Sequence, residues 1–90
     1  MNDQIAQVRA FIVARLTDIL RAKGRSADGL TDETNMIRDA LVDSLGFLEI
    51  TTAIENEFDV ELDFAELDPE TFTTVGGLAR AAAVPVVGGP

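Results

Sequence analysis

The sequence predicts an all-α protein. Apolar residues recur at spacings of three and four along two long stretches, which is the signature of helices with one buried face. No stretch of useful length alternates apolar and polar residues, so no strand is expected. The chain is 47% hydrophobic, enough to fold and too much for wholesale disorder. Its 90 residues make one domain with a modest core, built from five Phe with Leu, Ile and Val, because Trp and Tyr are absent.

The first helix is expected from Asn2 to about Arg21, with Ile5, Val8, Ile12, Leu16 and Ile19 on one stripe and Phe11 and Leu20 widening it. Arg21 and Lys23 suit the negative pole of its dipole, and Gly24 can stop it. A long connection follows over residues 24–42, polar and turn-prone at Arg25-Ser26-Ala27-Asp28-Gly29. Leu30, Met36, Ile37 and Leu41 are expected to pin the rest of it to the core. Long loops in small domains are often functional.

The second helix is expected from Ser44 to Phe58, capped by Asp43 or Ser44. Phe47, Ile50, Ile54 and Phe58 form its core stripe. Residues 60–68 should hold a short helical turn or two, with Leu62, Phe64 and Leu67 apolar, and Pro69 allows a new turn to start at Asp68. A last helix is expected over Val75 to Ala83, weakened by Gly76 and Gly77 in its first turn. One domain over residues 1–84 and a flexible tail over residues 85–90 complete the plan.

Charge narrows the function. The net charge is −9, and every charged residue from Asp39 to Ala79 is acidic. Nucleic-acid backbones would be repelled by this half, whereas a basic protein surface would be steered toward it. No apolar run approaches a membrane span. The absence of cysteine fits a reducing compartment, and the polar Met1-Asn2-Asp3-Gln4 gives no signal peptide, so a cytoplasmic monomer is expected.

Ser44 is the residue that stands out. It begins a strongly patterned helix in a chain with no histidine and no cysteine, so it has no base to make it a hydrolase nucleophile. An exposed hydroxyl at a helix start reads either as a plain cap or as a site that another enzyme modifies. On the same helix, Leu45, Leu48 and Thr52 fall opposite the core stripe, flanked by Glu49, Glu55 and Asn56. Two readings stand for this strip: the leucines pack beneath the 24–42 loop, or they anchor a docking partner steered by the acids. Asp59, Glu61, Asp63 and Glu70 have the spacing of a calcium-binding loop, but Phe64 stands where that loop needs glycine, so no specific metal site is expected.

Asp43-Ser44-Leu45, followed by Glu49-Ile50, by Ile54-Glu55-Asn56-Glu57-Phe58 and later by Phe72-Thr73-Thr74-Val75, resembles the acyl carrier protein family over residues 5–83. The resemblance implies a four-helix bundle with a long first loop and a short third helix. It implies that Ser44 receives 4′-phosphopantetheine from coenzyme A through a phosphopantetheinyl transferase, and that the protein is a non-catalytic carrier. The arm's thiol would hold acyl or aminoacyl groups as thioesters, delivered by an adenylating ligase and passed between biosynthetic enzymes. Asp43, Leu45, Leu48, Glu49, Thr52, Glu55 and Asn56 would then form the docking face for basic patches on those partners. Leu41 replaces the glycine that family members usually have two residues before the Asp, and Gly46 replaces a frequent acid after the Ser. An unmodified acidic docking module of the same fold is the alternative.

Overall fold

The computed structural model describes residues 3–62 and 68–83. The calls on Asn2, Asp63, Phe64, Leu67 and the tail over residues 85–90 therefore lie outside the described residues. Among the described residues, four helices follow in order: α1 (Asp3–Ala22), α2 (Ser44–Phe58), the short α3 (Pro69–Phe72) and α4 (Val75–Ala83). The described residues contain no strand, and a long loop over residues 23–43 joins α1 to α2. The expected all-α fold with a long first loop and a short third helix is the observed one.

α1 buries Val8, Ile12, Leu16 and Leu20 completely or nearly so. That is a row at every fourth residue, on one side of the helix. Fully burying a side chain of this size contributes about 1.5–3 kcal/mol, so these four form the spine of the core. Ile5, Phe11 and Ile19 flank the row and are only partly buried. The helix stops at a glycine-based cap: the Arg25 N–H donates to the Leu20 carbonyl (2.7 Å), the Gly24 N–H to the Arg21 carbonyl (3.0 Å), and Gly24 takes φ of 71°.

α2 and α4 pack on α1. α2 contributes buried Phe47, Ile50 and Ile54, while Phe58 is partly buried and meets Phe11 edge to face at 5.5 Å between ring centres. Thr51 is also buried, its hydroxyl donating to the Leu48 carbonyl at 2.9 Å. α4 contributes Val75, Leu78, Ala79 and Ala82. α3 starts on the Asp68 cap and brings Phe72 to within 5.8 Å of the Phe47 ring.

Gly76 and Gly77 have a role that helix propensity alone does not suggest. Both are buried. A Cβ at Gly77 would sit 1.8 Å from the Thr71 carbonyl oxygen, and one at Gly76 would sit 2.7 Å from the Asp32 Cβ. The missing side chains let the α3–α4 turn and the long loop close against the start of α4.

The loop is held along its length. Arg9 on α1 pairs with Asp32. Met36, Leu41 and Val42 are buried in the core, with Leu30 packed against it. Ile37, expected to pin the loop, is instead 38% exposed. Its N–H and that of Arg38 both turn in to the Asn35 Oδ1, which puts the Ile37 side chain on the outside of the turn.

Substituting Ala at Gly77 should lower stability by at least about 1–3 kcal/mol, the usual cost of overpacking, because the obstructing atom is backbone. Urea unfolding should show the lower midpoint; an unchanged midpoint would mean that the Thr71 turn is free to move.

Candidate phosphopantetheine attachment site

The site begins with the turn that delivers Ser44. Residues 36–42 form a tight loop in which the Leu41 and Val42 N–H groups both donate to the Met36 carbonyl (3.0 and 3.1 Å). Ala40 adopts φ of 58°, a left-handed conformation that costs a non-glycine residue about 1–2 kcal/mol. Leu41 carries no such strain: it is a core residue, 7% exposed. The left-handed position lies one residue before it, so the loop makes its turn without a glycine at 41.

Asp43 is the N-cap of α2, in extended conformation, and its Oδ1 accepts the Gly46 N–H at 2.7 Å. Ser44 is the first helical residue and is exposed. The cap function falls to Asp43, which leaves the Ser44 hydroxyl outside the capping hydrogen bond. The positive pole of α2 surrounds that hydroxyl with partial charge suited to an anion.

Two grooves flank the N-terminal half of α2. On the outer face, Leu45 is 66% exposed and Leu48 53% exposed. With Glu49, Thr52, Ala53 and Asn56 they line a shallow, open groove. The 24–42 loop does not cover these leucines, so the reading that packed them beneath it is set aside. On the inner side, a deeper groove runs between α1 and α2, lined by residues that include Arg15, Ile19, Lys23, Asp43, Gly46 and Ile50.

Glu55 differs from the other acids of α2. It is partly buried, and its Oε2 accepts the Leu62 N–H at 2.9 Å. Its carboxylate thus ties down the segment after α2. Asp43, Glu49 and Asn56 are exposed. Asp59 ends α2 in a left-handed conformation at φ of 54°. Neither the Glu55 tie nor the Asp59 turn has a signal in the local sequence pattern.

A family model described as a phosphopantetheine attachment site matches residues 11–82. The chain belongs to that family. No solved structure matches it. The match runs from the third turn of α1 to Ala82 near the end of α4, so it takes in most of α1, the other helices, the long loop and the Ser44 turn together. The protein is a phosphopantetheine carrier domain, of the acyl carrier protein kind, and its prosthetic group is 4′-phosphopantetheine bound covalently. The residues present fit that group: the chain offers an accessible hydroxyl at a helix start, and the helix pole favours a phosphodiester there. When attached, the group supplies the reactive thiol that a chain without cysteine lacks. Members of such a family meet a transferase and the enzymes of a biosynthetic route. None of the described helices is long and apolar enough to cross a membrane.

Proposed function

We propose that Ser44 bears the arm, and that the carrier shuttles acyl or aminoacyl groups as thioesters between biosynthetic enzymes. The observation that supports this most is the division of labour at the start of α2. Asp43 takes the helix cap, and Ser44 stands exposed beside it. The matched span has one other serine, Ser26, whose Oγ accepts the Asp28 N–H at 3.0 Å within a loop. Ser26 has no helix pole behind it.

Attachment by a phosphopantetheinyl transferase forms a bond between Ser44 Oγ and the phosphorus of coenzyme A's pantetheine end. A bond within the pyrophosphate breaks, the nucleotide part leaves, and the serine proton passes to a base of the transferase. In this reading an adenylating ligase loads the cargo, and the carrier contributes position rather than catalysis.

The outer face of α2 is the docking face. Leu45 and Leu48 are the apolar anchors, Thr52 and Asn56 line the same groove, and Asp43 and Glu49 supply exposed negative charge. Glu55 borders this face, and its bond to Leu62 also makes it structural. Partners with basic patches fit such a surface.

Intact mass should rise by one phosphopantetheine when the protein is incubated with coenzyme A, Mg²⁺ and a broad-specificity transferase. Ser44→Ala should fold and gain nothing, while Ser26→Ala should gain as wild type does. Modification of Ser44→Ala would overturn the assignment, and no gain in any variant would favour the unmodified docking module.

Glu49→Lys should slow transfer by partner enzymes several-fold at low salt and flatten its salt dependence, because an exposed charge acts mainly on encounter. Equal rates across salt for wild type and variant would refute electrostatic docking on this face.

A further inference from the structure

We propose that the groove between α1 and α2 seats the phosphopantetheine arm, with Arg15 and Lys23 supplying positive charge to its phosphodiester and Ile19 and Ile50 an apolar floor. This rests on Ser44 being the attachment residue.

The groove adjoins that residue directly. Val42, Asp43 and Gly46, on either side of Ser44, all line it. Its volume of about 310 Å³ lies at the lower end of the range for small-molecule sites. Gly46 keeps this end open. A Cβ there would come within 3.2 Å of the Val42 Cβ and 3.3 Å of the Asp43 Oδ1, both on groove-lining residues. An acidic side chain at this position would fill the space and add a repelling charge.

Charge placement gives the second argument. From Asp39 to Ala79 the chain offers a phosphodiester no cation of its own. The cations that share a groove with the Ser44 turn are Arg15 on α1 and Lys23, the only lysine, just past the end of that helix. Arg15 lies over the Phe11 ring at 5.1 Å, which holds its side chain. Neither Arg15 nor Lys23 forms an ion pair among the described residues. The groove also carries Asp18, Asp43 and Glu49. Pantetheine has amide N–H and hydroxyl donors for carboxylates to accept, and geminal methyls that suit the isoleucines. A groove of mixed lining thus matches an arm of mixed chemistry.

The test uses the full chain, isotopically labelled and converted by a transferase, with the mass gain confirmed before NMR. The inference predicts NOEs from the arm's geminal methyls to the Ile19 methyls, and amide shift changes at Arg15, Ile19 and Lys23 relative to the unmodified protein. An Arg15→Gln/Lys23→Gln double variant should keep the mass gain and lose these NOEs. A full mass gain with α1 amides unmoved, or with NOEs only to Leu45 and Leu48, overturns the inference and leaves the attachment reading intact. NOEs retained in the double variant overturn the role given to the two cations. No mass gain overturns the attachment reading, and this inference with it.

Discussion

Asn35 joins the two parts of the chain that must meet before Ser44 can be presented. Its Nδ2 donates to the Thr73 Oγ1 at 2.9 Å, and its Oδ1 accepts the N–H groups of Ile37 and Arg38. Around it, the Met36 N–H donates to the Thr73 carbonyl (2.9 Å) and the Val75 N–H to the Thr34 carbonyl (3.1 Å), in a single antiparallel bridge between Asn35 and Thr74. The residue is 7% exposed. A buried amide is costly unless its groups are paired, and here the pairing sets how the long loop lies on the α3–α4 junction. The Gly76 N–H extends the same seam to the Asp32 carbonyl at 2.9 Å. Met36, Leu41 and Val42 can then enter the core, and the chain leaves the loop at Asp43 with the next hydroxyl facing outward.

The helices were legible because their signals are local. The row Val8, Ile12, Leu16 and Leu20, the stripe of Phe47, Ile50 and Ile54, and the apolar face of α4 follow from periodicity. The Ser44 turn was legible through its motif. What periodicity missed depends on contacts between distant segments. Nothing in the local pattern marks Asn35 until Thr73 is placed beside it. Gly76 and Gly77 read as weak helix formers until Asp32 and the Thr71 carbonyl arrive over them. Thr51 reads as polar, yet its hydroxyl is satisfied by the Leu48 carbonyl, so the side chain is buried without loss. Ile37 reads as a core residue, yet the Asn35 turn rotates it outward.

A division between two halves of the molecule organises the surface. α1 and the loop after it carry all the basic residues but Arg80, and the outer part of α2 carries carboxylates and uncovered leucines. The attachment motif sits at their boundary. On the proposed reading, the outer groove meets partners and the inner groove meets the arm, so the two tasks use neighbouring flanks of one helix, with Glu49 on the edge between them. Gly46 and the exposed leucines are the residues that keep both flanks open.

The central claim is that the Asn35 seam fixes the loop that presents Ser44, and native-state amide exchange on Asn35→Ala tests it most directly. Removing the side chain takes the acceptor from the Ile37 and Arg38 N–H groups and the donor from the Thr73 Oγ1, and each lost hydrogen bond costs about 0.5–1.5 kcal/mol. The account predicts lower protection at Met36, Leu41, Val42 and Val75, with α1 amides such as Leu16 far less affected. Unchanged protection at Met36, Val42 and Val75 would contradict it and would mean that apolar burial alone holds the loop in place.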